Sequence, residues 1–211
     1  TDIGVVPSPV FYHSTFNLDS SSGVVITGSH NPADYNGFKI LFNNNSTSSE
    51  EIQSIKKRIK EQDFLSGTGN IKSLDVIESY VEEVTQNIEL NRPLNISIDC
   101  GNGAASVVAE KVYKGLGCQV KGLYCDLDGN FPNHHPDPTV EENLIDLVDE
   151  MKTGKYDVGI AFDGDADRLG VVDEVGEIIW ADQLIAIFLP ELVEPGDEII
   201  FDVKCSQALE D

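Results

Sequence analysis

Three aspartates, Asp163, Asp165 and Asp167, occupy every second position of the run AFDGDADRLGVVDE, directly after an apolar, strand-like segment. If the chain stays extended, all three share one face; if it turns, they converge. Two carboxylates about 4 Å apart repel by about 4 kcal/mol at an effective dielectric near 20. Three together must be protonated, splayed into water or neutralised by a cation. An all-oxygen ligand set selects a hard ion, Mg²⁺ or Ca²⁺. Glu174 stands at the twelfth place of an EF-hand-like calcium frame, but the sixth place, where such a loop turns on glycine, is Arg168. The flanks also read as strands rather than helices, which favours Mg²⁺. Arg168 adds a planar fork for phosphate oxygens, and Mg²⁺ is usually held by few protein ligands together with a phosphate.

A second stretch, VVITGSHNPADYNGFKI, sets Ser29, His30 and Asn31 in a turn closed by Pro32, immediately after a β-branched strand. A serine on such a turn is presented rather than buried. A phosphate on Ser29 would supply the oxygen that the carboxylates and a hard cation still lack. His30 and Asn31 can orient it or exchange protons beside it. Lys39 can return from the following strand with a positive charge.

The elements that must position these groups alternate between strand-like and helix-like runs, so the class is α/β. GVVIT and GFKILF read as strands around the serine turn. Residues 48–64 read as a helix, opened by a capping box of Ser48 and Glu51 and striped by Ile52, Ile55 and Ile59. DVIESYVEEVTQNIEL reads as a helix leading into a clear βαβ unit: the strand NISIDC, the turn GNG, the helix ASVVAEKVYKGLG and the strand CQVKGLYC, which implies parallel pairing. Beyond a loop rich in Pro, His and Asp, Thr139 and Glu142 predict a second capping box and a helix striped by Leu144, Leu147, Val148 and Met151. The strands YDVGIAF, LGVVDE and IIWA follow. Then come a helix QLIAIFLPEL capped by Asp182, a strand EIIFDV and a final helical start at SQALED. The glycine turn GNG reads as tight strand-to-helix packing. His134 and His135 read as part of a rigid, proline-bounded loop, with no third ligand to make a metal site.

Composition narrows the function. With 211 residues and 40% hydrophobic content the chain can bury a core in one or two domains. A formal charge of −23, from 37 acidic and 14 basic residues, repels nucleic acid. The basic cluster KKRIK reads as the solvated face of a helix. Four cysteines without CxxC spacing read as reduced thiols of a cytosolic protein rather than a disulfide frame or a zinc site. No apolar run is long enough for a membrane span, so no membrane partner is expected. The chain opens at Thr1 and closes within a helix-like run, and the expectation is a fragment of a longer protein. So acidic a chain suits a phosphorylated substrate only if a metal reverses the local sign or further basic groups lie outside the fragment.

TGSHNPADYNGFKI resembles the phosphoserine loop of the α-D-phosphohexomutases, and DGDADR resembles their metal-binding loop. GVVPSPV, DCGNGAAS, FPNHHPDPTVEENL and IIFDVKCSQAL are most similar to the bacterial phosphomannomutase/phosphoglucomutase branch, and the likeness runs over essentially the whole chain. One departure is Ala166, where that loop commonly has glycine; the small side chain is expected to have little effect. The resemblance implies repeated α/β domains with mixed sheets sandwiched by helices. Residues 1–73 would be the later part of domain 1, residues 74–176 a complete domain 2, and residues 177–211 the opening of domain 3. It further implies reversible transfer of a phosphoryl group between O1 and O6 of a hexose phosphate (mannose or glucose phosphate) through a hexose 1,6-bisphosphate. Ser29, His30, Lys39 and Arg168 would be catalytic, and Asp163, Asp165, Asp167 and the phosphate on Ser29 would hold one Mg²⁺. The fragment alone is expected to be inactive. Two other readings stay open. One is a metal-dependent phosphatase or phosphotransferase with Asp163 as nucleophile, which leaves TGSHNP without a role. The other is a non-catalytic module, either a Ca²⁺ binder or an inactive paralogue.

Overall fold

The computed structural model describes residues 1–32, 34–194 and 196–209. Its first unit is a three-stranded antiparallel sheet of β1 (Gly23–Ile26), β2 (Phe38–Phe42) and β3 (Asn45–Ser46), preceded by helix α1 (Ser8–Asn17) and followed by α2 (Ser49–Glu61). After α3 (Ile77–Asn87) comes the second unit: β4 (Asn95–Asp99), α4 (Ala109–Gly115), β5 (Gln119–Leu123), α5 (Ile145–Met151), β6 (Val158–Phe162), β7 (Leu169–Val172) and β8 (Ile178–Ile179). These strands form one sheet in the order β5-β4-β6-β7-β8. β4 pairs parallel with β5 and β6, whereas β7 and β8 add antiparallel. The expected class of mixed sheets between helices is therefore the observed one.

The sheet is packed on both faces. Ile96 and Ile98 of β4 and Cys100 just beyond it share one cluster with Ala105, Ala109 and Cys118, on the side of α4. Leu144, Leu147 and Met151 cover the other face against Ala161 and Val172. Gly159 lets α5 approach: a Cβ there would lie 2.9 Å from the Met151 Cγ and 3.1 Å from a Leu147 methyl. A third cluster joins the two units, with Val6, Val10, Phe11 and Leu41 of the first packed on Val76 and Val108. Burying side chains of this size is worth about 1.5–3 kcal/mol each, so the seam is a genuine core.

The capping box of α2 forms as read: Ser48 Oγ accepts from the Glu51 N–H, and the Glu51 carboxylate accepts from the Ser48 N–H. Its apolar stripe is left largely exposed, at 47%, 37% and 57% for Ile52, Ile55 and Ile59. Helix α1 is absent from the sequence-based expectation because its buried face includes Ser8, Ser14 and Thr15. The last two are satisfied by carbonyls of the helix itself, those of Val10 and Tyr12. The Thr139 capping box does not form. Asp137 captures both the Thr139 N–H and hydroxyl, so the chain runs through a 3₁₀ turn (Glu141–Leu144) before α5 begins. The expected helix after GNG likewise starts as a 3₁₀ turn (Ala104–Val107).

The N-cap of helix α6 (Ala181–Leu192) is Trp180 rather than Asp182, but Asp182 Oδ1 still accepts from the first-turn Gln183 N–H at 3.0 Å, and the Gln183 side-chain oxygen accepts from the Trp180 N–H. The expected strand EIIFDV is irregular, with no neighbouring strand among the described residues to pair with it and Ile200 and Val203 almost fully exposed. A strand needs a partner ladder for its backbone groups, and local propensity alone does not supply one. Of SQALED, a short 3₁₀ turn (Gln207–Leu209) forms, and Glu210 and Asp211 lie outside the described residues.

Leu147 is fully buried between α5 and the sheet. Leu147→Ala is expected to cost about 2–5 kcal/mol, read as a lower denaturation midpoint in urea with an unchanged slope.

Candidate active site

The parallel register aligns Asp99 with Leu123 on one side and with Ala161 on the other, so β4, β5 and β6 end together. Three connections leave that edge: the GNG turn, the loop that starts at Tyr124, and residues 163–168 between β6 and β7. The carboxyl edge of parallel strands is where open α/β sheets gather ligand-binding loops. Phe162 faces Leu169 across the hairpin, and the Asp163 N–H donates to the Arg168 carbonyl at 3.1 Å. The loop therefore closes on itself and turns its acidic side chains inward.

They converge. Asp163, Asp165 and Asp167 each offer an oxygen within 4.8 Å of the others. Asp163 and Asp165 are buried, and Asp167 is one-third exposed. Asp163 Oδ1 accepts from the Arg168 N–H at 3.1 Å, and its Oδ2 accepts from Arg168 Nε at 3.2 Å. Burial nevertheless pushes the Asp163 carboxyl above the usual range; the Arg168 N–H opposes this, and the neighbouring Asp165 charge adds to it. Burial would raise Asp165 as well, but bonds from Lys39, Ser8 and Thr27 outweigh it and hold that carboxyl low. Lys39 reaches over from β2 to both Asp165 and Asp167. Burial works against its charge, yet these two partners raise the ammonium above its ordinary value. Glu174, the twelfth residue of the calcium frame, lies in the turn beyond β7 and outside the carboxylate cluster.

The serine turn meets this loop face to face. Ser29 Oγ donates to Asp163 Oδ2 at 3.0 Å and lies 3.2 Å from His30 Nδ1. Ser29 has φ 51°, a left-handed conformation that costs a non-glycine residue about 1–2 kcal/mol. The turn offsets this through the Ser29 N–H, which donates to Thr27 Oγ1 at 2.8 Å. A Cβ on Gly164 would sit 2.1 Å from the Ser29 carbonyl oxygen, and one on Gly103 would sit 2.8 Å from the Gly164 carbonyl. Both glycines are required by the close approach of three backbones, which accords with the packing reading of GNG. Sequence reading also bears on Ala166, where side-chain size is not the relevant quantity. Ala166 has φ 60°, a left-handed conformation in which a methyl strains the backbone.

The seven residues given catalytic or metal-holding roles thus lie together, Ser29, His30 and Lys39 from the first unit and Asp163, Asp165, Asp167 and Arg168 from the second. Four neighbours carried no role in that reading. Ser8 and Thr27 donate to Asp165 Oδ2 at 2.8 and 3.1 Å. Asp137 approaches Arg168 Nη1 at 3.7 Å. Asp99, fully buried, accepts from His134 Nε2 at 3.0 Å behind the GNG turn. Ser8, Thr27 and Asp137 are marked in the sequence only by adjacency, in VPSP, ITGS and HHPDP, and Asp99 only by its place just before the glycine turn.

Two buried polar atoms at the centre have no partner among the described residues: Asp165 Oδ1 and Arg168 Nη2. An orphaned acceptor beside two further carboxylates fits a hard cation, and an orphaned guanidinium donor fits an anion.

Family models match most of the chain: phosphoglucomutase/phosphomannomutase α/β/α domain I over residues 1–66 and domain II over residues 78–176. The chain belongs to the phosphoglucomutase/phosphomannomutase family. A phosphomannomutase/phosphoglucomutase of Pseudomonas aeruginosa is 46% identical over 99% of this chain and 46% of its own length. A phosphoglucomutase of Neisseria gonorrhoeae is 43% identical over 99% of this chain and 46% of its own length. A crystal structure of a phosphoglucomutase/phosphomannomutase family protein from Burkholderia thailandensis matches with a TM-score of 0.93 and 44% identity, over 99% of this chain and 48% of that one. The chain spans about half the length of the curated relatives it matches.

Two outcomes follow from this geometry. Ala166→Gly is expected to raise stability by about 0.5–1 kcal/mol in chemical denaturation, because it relieves a left-handed alanine. The Asp99 bond is the main cause raising the His134 pKa, against the effect of burial. The cation therefore stabilises the fold fully below the unfolded histidine value near ~6.5, and that contribution is lost as pH rises through the higher folded value. The stability gap between the native protein and His134→Gln should be widest at acid pH and close on the alkaline side, measured by urea denaturation across pH.

Proposed function

We propose that the full-length protein is a phosphohexomutase that moves a phosphoryl group between O1 and O6 of mannose or glucose phosphate. The observation that carries this reading is the Ser29 hydroxyl, held on a strained turn 3.0 Å from Asp163 at the mouth of the acidic cluster. A serine whose only task were to close a turn would need neither the left-handed backbone nor the carboxylates of a second unit.

In the forward half-reaction the Oγ–P bond of phosphorylated Ser29 breaks as a bond forms from phosphorus to the free sugar hydroxyl, whose proton ends on the released Ser29 Oγ. The product is a hexose 1,6-bisphosphate. After it turns in the site, its other phosphate returns to Ser29 by the reverse step. Such transfers are driven by positioning and charge compensation. Arg168, whose Nη2 has no partner among the described residues, steadies phosphate oxygens. Lys39 adds positive charge beside the incoming hydroxyl, and His30, 3.2 Å from Ser29 Oγ, orients that oxygen or carries the proton. Asp163, Asp165 and Asp167 would hold Mg²⁺ together with a phosphoserine oxygen, and the ion would supply Lewis-acid compensation of the transferring charge.

An aspartyl nucleophile at Asp163 is disfavoured, because it would leave the strained Ser29 turn, aimed at the acidic cluster, without a role. A calcium loop is disfavoured by the position of Glu174. We further infer domain boundaries near residues 73 and 176, and that this segment alone does not turn over.

Peptide-mapped mass spectrometry of the full-length protein, incubated with glucose 1,6-bisphosphate and Mg²⁺, should find phosphate on the peptide carrying Ser29. Ser29→Ala should lower mutase turnover by more than about 10⁴-fold while leaving the circular dichroism spectrum unchanged. Phosphate on Asp163, or near-normal turnover of Ser29→Ala, would overturn the assignment.

A further inference from the structure

Asp165 is the most asymmetrically bonded carboxylate of the cluster. Its Oδ2 receives Ser8 Oγ at 2.8 Å, Thr27 Oγ1 at 3.1 Å and the Lys39 ammonium, whereas its Oδ1 is equally buried and receives nothing among the described residues. A hydroxyl can donate or accept, so the direction of the two hydroxyl bonds must be argued.

For Ser8 it follows from Lys39. The ammonium, 3.1 Å from Ser8 Oγ, can only donate, so the serine oxygen accepts there and its own proton is free for the carboxylate. For Thr27 it follows from the backbone. The Ser29 N–H, 2.8 Å from Thr27 Oγ1, can only donate, and the threonine proton is likewise left for Asp165. Each hydroxyl is driven by an obligate donor behind it, and both protons fall on the same oxygen. The Ser8 N–H also donates to the Asp165 carbonyl at 2.8 Å, which pins the backbone of the acidic loop to the first turn of α1.

We propose that Ser8 and Thr27 are positioning residues for a metal ligand: they commit Asp165 Oδ2 to the protein and leave Oδ1 as the single oxygen that Asp165 presents to a cation. Asp165 would then offer a cation one oxygen, and its rotamer is set by groups of the first unit rather than by its own loop. Thr27 has a second consequence, because one hydroxyl holds both the Ser29 backbone and the metal ligand. A shift of the serine turn is thereby transmitted to Asp165 through the Thr27 hydroxyl, beside the direct bond from Ser29 to Asp163. The inference rests on the proposed metal role of the three aspartates and adds the residues that aim one of them.

The test uses the full-length protein and Mn²⁺ as probe, with free Mn²⁺ read by electron paramagnetic resonance in the absence of sugar. Asp165→Asn is the reference for loss of a ligand. Ser8→Ala and Thr27→Val should each raise the Mn²⁺ dissociation constant about tenfold, the scale seen when a partner of a metal ligand is removed. Thr27→Ser keeps the hydroxyl and should bind Mn²⁺ as the native protein does, with thermal midpoints recorded for every variant. If Asp165→Asn weakens Mn²⁺ binding while Ser8→Ala and Thr27→Val bind it normally, the positioning role is wrong and the metal reading survives. If Asp165→Asn itself binds Mn²⁺ normally, the metal reading fails and this inference falls with it. Should Ser8→Ala melt early, the Thr27→Val and Thr27→Ser pair decides, since equal weakening in both would assign the effect to packing and overturn the proposal.

Discussion

The repulsion among three aspartates is the constraint on which the rest of this structure depends. Each close pair costs on the order of 4 kcal/mol at an intermediate dielectric, in a chain whose formal charge is already −23. The acidic loop cannot meet that cost alone. Arg168 offsets part of it from within, through a backbone N–H and Nε on Asp163. Further compensation comes from elsewhere, with Lys39 from β2 and hydroxyls from α1 and the end of β1. A buried acidic cluster in one unit thus obliges a second unit to dock against it.

That docking is carried by the apolar seam of Val10, Phe11, Leu41, Val76 and Val108, which brings the serine turn within hydrogen-bonding range of the hairpin. Contact this close leaves no room for side chains where the loops cross, hence Gly103 and Gly164. It also holds two residues, Ser29 and Ala166, in backbone conformations that neither would choose. Strained backbone beside two buried polar atoms that lack a partner among the described residues is the pattern of a site shaped for a ligand rather than for stability.

The parts of this design that were legible in the sequence are those with local signatures. Alternating aspartates, a serine turn closed by proline, and a capping box at Ser48 each declare themselves within a few residues. Helix α1 did not, because Ser14 and Thr15 satisfy their hydroxyls on its own carbonyls and face the core without an apolar pattern. The second capping box failed because Asp137 competes for Thr139, a contest between two local motifs that propensity cannot settle. EIIFDV read as a strand on composition alone, and no neighbouring ladder among the described residues takes it up. Ser8 and Thr27 were invisible for a different reason. What defines them is a shared carboxylate far along the chain, and no window along the sequence contains both ends of those bonds.

The same separation dictates the order in which the molecule can assemble. Ser29 and Asp163 are 134 residues apart, and Ser8 and Asp165 are 157 apart. The β6–β7 hairpin can close early through neighbouring residues, but the contacts that offset its charge require the longest loop closures in the chain. Until they form, the hairpin carries its repulsion into water. The cluster is therefore a late event in folding. In the native ensemble, transient undocking of α1 and the serine turn would dissolve it while the second sheet stays intact. A cation that favours the gathered carboxylates would act as a latch on the folding of the whole chain as well as a participant in chemistry.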